Sequence, residues 1–243
     1  MKVIMNPDAS IIQKREGAGS LAVEAIGLNK YFATPERFQA LKQIHFGIAK
    51  GQFVSVVGKS GCGKSTLLYI LSTLDTDYEG SVVLNGVPVT GLSQDKLASF
   101  RNEHLGFVFQ FHYLLPDFSC LKNVMIPALR LGKYSFEEIE HKAYEKLGIL
   151  GVADQALKPA SKISGGQQQR VAIARALIND PSIIMGDEPT GNLDTRNSAI
   201  VFDTLRRLAH DLGKTVVTVT HDPDFAKNSD YIIELSDGKL LHP

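Results

Sequence analysis

Apolar and polar positions change their spacing several times along the chain, and each change marks an element. Residues Leu21 to Gly58 carry strand-like runs, the last of them the short apolar segment Phe53 to Val57 (FVSVV). Helical character follows over Ser65 to Thr73, so a glycine-rich loop joins a strand to a helix. Ser81 to Val89 reads as a hairpin that turns at Asn85-Gly86. Ser135 and Glu138 form a capping box, Ile139, Ala143 and Leu147 recur at helical spacing, and Gly148 is expected to end that helix. Residues from about 111 to 163 therefore read as a mostly helical insertion. Beyond it, Gln167 to Ile178 is helical and stops at Asn179-Asp180-Pro181. Ser182 to Asp187 is then a strand, Asn197 to Leu212 a helix closed by Gly213, and Thr215 to Thr220 a β-branched strand. Strands alternating with helices predict an α/β protein with a mainly parallel sheet, whose ligands bind beyond the carboxyl ends of the strands.

Composition narrows the partners. The 243 residues suffice for a sizeable core, and 26 Lys plus Arg balance 26 Asp plus Glu. No net field pulls the chain onto nucleic acid or anionic lipid, and no run of Lys or Arg stands out. The two cysteines, Cys62 and Cys120, resemble neither a disulfide framework nor a metal site, which suggests a reducing cytosol. No apolar stretch approaches the roughly 20 residues needed to cross a bilayer. Asn6, Pro7 and Asp8 interrupt any apolar run at the start, so Met1 to Ser20 is expected to be an extension rather than a signal peptide, with Gly17 to Ser20 as a joint. The folded unit is expected over 21–243, soluble, with any membrane role coming through a partner. There is no internal repeat and no low-complexity tract.

The chemistry lies at the strand ends. Gly58 to Ser65 fits G-x-x-x-x-G-K-[ST], in which glycines let backbone N–H groups curl around phosphate oxygens and the following helix adds its positive end. Lys64 is expected to neutralise the β and γ phosphates and Ser65 to offer its hydroxyl to Mg²⁺. Asp187 and Glu188 end an apolar strand, where carboxylates need a reason. Beside a phosphate loop, Asp187 suits the Mg²⁺ shell and Glu188 a general base acting on water. Ser164-Gly165-Gly166 opens a second helix with a hydroxyl and bare amides but no lysine. One chain has little use for two such sites on one triphosphate, whereas two chains head to tail would set each phosphate loop against the other's glycine turn. His221, after a core strand, is placed to meet the γ-phosphate. Gln110 is a polar group between Phe109 and Phe111.

Taken together these segments resemble the ATP-binding subunits of ABC transporters, over essentially 21–237. The Walker A motif is Gly58 to Thr66, the Q-loop glutamine Gln110, the signature Ile163 to Gln167 with isoleucine where leucine is commoner, and Walker B Ile183 to Asp187 with catalytic Glu188. The D-loop is Gly191 to Asp194 and the switch histidine His221. The resemblance implies a P-loop NTPase (RecA-like) core with an antiparallel β subdomain and a helical insertion. It also implies ATP contacts from Gly58, Ser60, Gly61, Gly63, Lys64, Ser65, Thr66, Ser164, Gly165, Gly166 and Asp194, and Mg²⁺ contacts from Ser65, Gln110 and Asp187. Tyr31, within Asn29-Lys30-Tyr31-Phe32, matches the aromatic that stacks on adenine; a core tyrosine is the alternative. Two ATP molecules would close a homodimer, and hydrolysis would reopen it and move two integral membrane subunits through the surface around Gln110. If Phe111, Tyr113, Leu114 and Leu115 are exposed, they make an interface patch; packing within the insertion is the other possibility.

A narrower resemblance is carried by Phe109 to Val124 (FQFHYLLPDFSCLKNV) and Glu188 to Asp194 (EPTGNLD). It is to the lipoprotein-releasing ATPases, with Tyr113 where that group usually carries a second histidine, and it implies work at the cytoplasmic face of the bacterial inner membrane. Macrolide or peptide efflux ATPases and a regulatory cell-division ATPase share similar segments. A DNA-repair clamp would need a heptad-rich insertion or a zinc module, and the sequence has neither.

Overall fold

Residues 20–33 and 37–241 are described by a computed structural model, and alternation at period two decides which core each residue of its central strands feeds. Six strands form one sheet: β3 (Phe53–Val57), β6 (Leu105–Val108), β7 (Ile183–Asp187), β8 (Thr215–Val219), β9 (Tyr231–Ser236) and β10 (Lys239–Leu240), in the order β10-β9-β3-β8-β7-β6. All its pairs are parallel except β10 with β9. Phe53, Val108, Ile184 and Val216 point to one face, against α3 (Cys120–Leu131), α4 (Phe136–Ile149), α5 (Gly165–Leu177) and α6 (Thr195–His210). Their neighbours Val54, Val56, Ile183, Met185, Val217 and Val219 point to the other, against α1 (Lys64–Leu71) and a second sheet. Strands buried on both faces read as unbroken apolar runs, which is why FVSVV and IIMG lack alternation.

The second sheet is antiparallel, in the order β2-β1-β4-β5, from β1 (Leu21–Phe32), β2 (Phe38–Ala49), β4 (Glu79–Leu84) and β5 (Val87–Pro88). The β4–β5 turn falls at Asn85 and Gly86, both at positive φ as a tight two-residue hairpin requires. Lys30 of β1 is buried and donates to the Asp75 carboxylate at 3.0 Å and the Asp77 carbonyl at 2.5 Å, tying this sheet to the segment that leaves α1.

Several boundaries differ from the sequence reading. Helix α4 begins at the expected Ser135–Glu138 capping box, but it runs through Gly148 to Ile149. Glycine costs a helix about 1 kcal/mol without stopping it; the left-handed residue here is Gly151, at φ 64°. Helix α6 starts at Thr195 rather than Asn197, because the Asp194 side chain caps it, and it ends at His210. Gly165 and Gly166 belong to the first turn of α5. Helices α2 (Gln94–His104) and α7 (Pro223–Lys227) have no counterpart in the reading. The expected 111–163 insertion holds α3 and α4. The extension expected at 1–20, apart from Ser20, lies outside the described residues. Among the described residues no helix is long and apolar enough to cross a membrane, and Cys62 and Cys120 are both buried and free.

Candidate functional site

Strand β3 ends at Val57 and the chain turns through Gly58, Gly61 and Gly63, at φ 148°, 78° and 104°, before α1 begins. Two of these glycines are required by close approach. A Cβ on Gly58 would overlap the Leu235 carbonyl, and one on Gly63 would lie 2.8 Å from the Ala40 carbonyl oxygen. Lys64 folds back across the loop and donates to the Gly58 and Lys59 carbonyls at 2.8 and 3.0 Å. Ser60 lies exposed on the loop and Thr66 sits half-buried in the first turn of α1. No side chain caps that helix and no acidic residue sits in its first turn, so the positive end of α1 faces the loop.

The same helix touches the end of β7. Ser65 Oγ donates to Asp187 Oδ1 at 3.2 Å, and Tyr69 Oη donates to Asp187 Oδ2 at 3.0 Å. Tyr69 lies four residues beyond Ser65, hence on the same helical face. Desolvation, with the Asp187 carboxylate beside it, pushes the Tyr69 hydroxyl up to about 12, so it stays protonated and donating. Glu188 follows at φ 47°, a left-handed backbone that a β-carbon resists. Its Oε1 lies 2.8 Å from His221 Nδ1 and its Oε2 accepts from the His221 N–H at 3.3 Å. Glu188 is 15% exposed and the His221 ring 69%, so the carboxylate is set inside and the imidazole projects outward. A carboxylate only accepts, so Nδ1 carries the proton of that pair.

Gln110 comes just after β6. The loop behind Glu188 closes on it: Asn192 Nδ2 donates to the Gln110 carbonyl at 3.2 Å, and Gln110 Nε2 would be 3.1 Å from a Cβ on Gly191. Because β6, β7, β8 and β3 are parallel neighbours, Gln110, Asp187, Glu188, His221 and the glycine loop all arrive at one edge of the sheet.

Tyr31 is half-buried near the end of β1, with the Arg37 guanidinium 5.0 Å from its ring centre. It pairs with Gln39, next to the Ala40 carbonyl that presses on Gly63, so the β1–β2 hairpin leans on the phosphate loop. A fully buried core tyrosine is not what the structure has here.

Ser164, Gly165 and Gly166 stand apart from this group. Ser164 shares its capping box with Gln167, and Gly166 packs against Asn197. Helix α5 lies on α3, α4 and β6, whereas α1 lies on β8, β7 and β2. Asp194 caps α6, and its bonds from the Asn197 N–H and side chain, each 2.8 Å, hold its carboxyl below the ordinary range.

The sequence reading gave no role of their own to Tyr69, Gln169, Arg175 and Asn192. Only Tyr69 had a signal, its spacing from Ser65. Arg175 of α5 donates to the Tyr113 and His112 carbonyls at 2.7 and 2.8 Å, fixing the segment after Gln110. There Phe111 and Tyr113 are 60% and 65% exposed and Leu115 is exposed, while Leu114 packs inward. Of the four apolar residues for which patch and internal packing were both open, three face outward.

Ser65 Oγ and Asp187 Oδ1 are neighbouring hard oxygens, the donor type Mg²⁺ takes. Among the described residues no group of three or more His, Cys, Asp or Glu gathers as a metal site.

Residues 41–191 match the ABC transporter family. The chain is 45% identical over 214 residues to the lipoprotein-releasing system ATP-binding protein LolD of Bacteroides thetaiotaomicron, covering 88% of this chain and 96% of that protein. It is 44% identical over 221 residues to LolD of Porphyromonas gingivalis, covering 91% and 99%. Among solved structures it resembles the dimeric bacterial ABC transporter cassette MJ0796, with TM-score 0.83, 39% identity, and 90% and 96% of the two chains covered. That cassette is also known as a dimer in a post-hydrolysis state with ADP and Pi. CbiO1 of Clostridium perfringens, part of an ABC transporter complex, follows at TM-score 0.79, 26% identity, and 91% and 87% coverage. A family match across more than half its length, joined to relatives this similar over 88–91% of the chain, makes it a member of the ABC transporter family, an ATPase whose hydrolysis of ATP is coupled to transport.

Proposed function

We propose that this chain is the ATPase subunit of a complex that releases lipoproteins from a bacterial inner membrane. The observation that carries this reading is the 44–45% identity to LolD proteins along 96–99% of their length. In this reading residues 21–243 act as one nucleotide-binding domain, with a helical subdomain over about 111–163. It sits peripherally on the cytoplasmic face and binds two integral membrane subunits. The outward-facing Phe111, Tyr113 and Leu115 beside Gln110 suit such a contact.

ATP lies with its adenine on Tyr31 and its phosphates in the loop from Gly58 to Thr66, where Ser60, Gly61 and Gly63 turn backbone amides inward. Lys64 neutralises the β and γ phosphates. Ser65 and Asp187 would hold Mg²⁺, with Gln110 reaching the same ion, and the ion would supply positive charge against the phosphates. Glu188 takes a proton from water as the water oxygen attacks the γ-phosphorus, and the bond to the β–γ bridging oxygen breaks. His221 orients Glu188 through Nδ1 and meets the γ-phosphate through Nε2. The chain's own Ser164, Gly165, Gly166 and Asp194 serve the nucleotide of a second copy, so two ATP molecules lie between two chains.

Glu188→Gln tests the assignment. Removing a general base costs about 10²- to 10⁴-fold, so turnover falls at least a hundredfold while ATP-bound dimers accumulate on a sizing column with light scattering. Turnover at the parental rate would refute Glu188 as the base. For the cargo, the protein is purified in detergent with its native membrane subunits and the bound lipid or lipoprotein identified. A partner without a large periplasmic lipid-handling domain would count against lipoprotein release.

A further inference from the structure

We propose that Gln169 is a positioning residue that holds the loops bearing Gln110 and Glu188 in place against helix α5, the helix that opens with the Ser164–Gly166 turn of the same chain. This rests on the roles given above to Gln110, Glu188 and that turn. Gln169 is 1% exposed. Its Nε2 donates to the Pro189 carbonyl at 2.6 Å and to the Phe109 carbonyl at 3.4 Å. Phe109 immediately precedes Gln110, and Pro189 immediately follows Glu188. One carboxamide thus holds the backbone next to both residues.

Stability alone is a poor account of it. Gln169 Oε1 is buried with no hydrogen-bond partner, and a buried acceptor left unpaired is costly. An apolar side chain of the same length would fill the space without that cost. What such a side chain lacks is the pair of N–H donors. The residue next door makes a matching link: Arg170 donates to Asn197 Oδ1 at 3.0 Å, and Asn197 holds Asp194. Consecutive residues of α5 therefore grip the 189–194 loop at its two ends. Across that loop Asn192 reaches the Gln110 carbonyl, and Gly191 lies against the Gln110 side chain. Gln169 stands five residues after Ser164, in the second turn of the helix whose first turn is the glycine turn. The glycine turn and the backbone flanking the water-activating carboxylate are thus joined through one helical turn.

Gln169→Met keeps length and removes both donors. The expected result is a KM for ATP within about twofold of the parent and a kcat lower by about tenfold or more, since small misplacement of a reacting group costs rate rather than affinity. ATP-dependent dimers should still form when Gln169→Met is combined with Glu188→Gln. A structural role alone would lower kcat only in proportion to the folded fraction, measured on the same sample by its melting curve. Gln169→Glu gives a second readout. A protonated glutamic acid retains one donor and the carboxylate none, so its activity relative to the parent should rise as pH falls from 8.5 to 6. Should Gln169→Met prove too unstable to purify, this pH profile carries the test by itself. A Gln169→Met kcat within twofold of the parent, or a flat Gln169→Glu ratio across that pH range, would overturn the proposal. Glu188→Gln measured alongside keeps the two ideas apart: if it retains parental activity the site assignment fails, whatever Gln169 does.

Discussion

Asp187 accepts hydrogen bonds from two side chains of one helix, and the two differ in kind. Ser65 Oγ can turn to a metal ion, whereas the Tyr69 hydroxyl, raised to about 12 by burial and by Asp187, bonds to Asp187 alone among the described residues. It fixes the rotation of the carboxylate, the task usually given to groups one shell out from a metal. Tyr69→Phe should therefore raise the Mg²⁺ concentration for half-maximal ATPase activity, by about tenfold, the low end for such groups because Tyr69 is partly exposed. The same shift should appear in Mg²⁺-dependent binding of a non-hydrolysable ATP analogue, which does not depend on turnover. An unchanged Mg²⁺ requirement would show that the hydroxyl does nothing for the ion. At this scale the sequence was most legible where function needs a run of adjacent residues, as from Gly58 to Thr66. The roles of Gln169 and Arg175 are not legible because their partners lie 20 to 63 residues away.

Among the elements, the segment leading into α3 shows how a polar residue can shape an apolar surface. Asn123 is fully buried; its Nδ2 donates to the Leu115, Phe118 and Ser119 carbonyls at 3.1, 3.3 and 3.0 Å, and its Oδ1 accepts from the Leu115 N–H at 2.7 Å. This holds Leu115 and Phe118 outward, beside the segment that Arg175 holds from the other side. Asn123→Ala leaves several buried groups unpaired. We expect a loss of about 3 kcal/mol, hence a melting point lower by roughly 6–12 °C by calorimetry. Asn192→Ala, on an exposed bond, should shift it by under about 2 °C. Equal shifts in the two variants would mean that the Asn123 network contributes nothing of its own. Helix α4 was legible because its capping box and its Ile139, Ala143 and Leu147 stripe are local. Helix α2 was not: Leu97 is its one buried residue, so it carries almost no apolar period to read.

Over the whole molecule, the lysine-bearing loop and the lysine-free glycine turn are held by different layers, α1 on β8, β7 and β2 and α5 on α3, α4 and β6. If hydrolysis needs the loop of one chain and the turn of another, specific ATPase activity should rise with protein concentration and level off as dimers saturate. A specific activity independent of concentration across the range where sizing shows monomers would contradict that arrangement. The sequence by itself determined the glycine-rich turn between β3 and α1, the adjacent carboxylates and the alternation of strands with helices, because each is set by backbone conformation or periodicity within a few residues. The tertiary structure alone decided that Tyr69 meets Asp187, that Glu188 meets His221, and that Gln169 spans two loops. Those contacts exist because parallel strand order brings distant strand ends to one edge, and no local period encodes strand order.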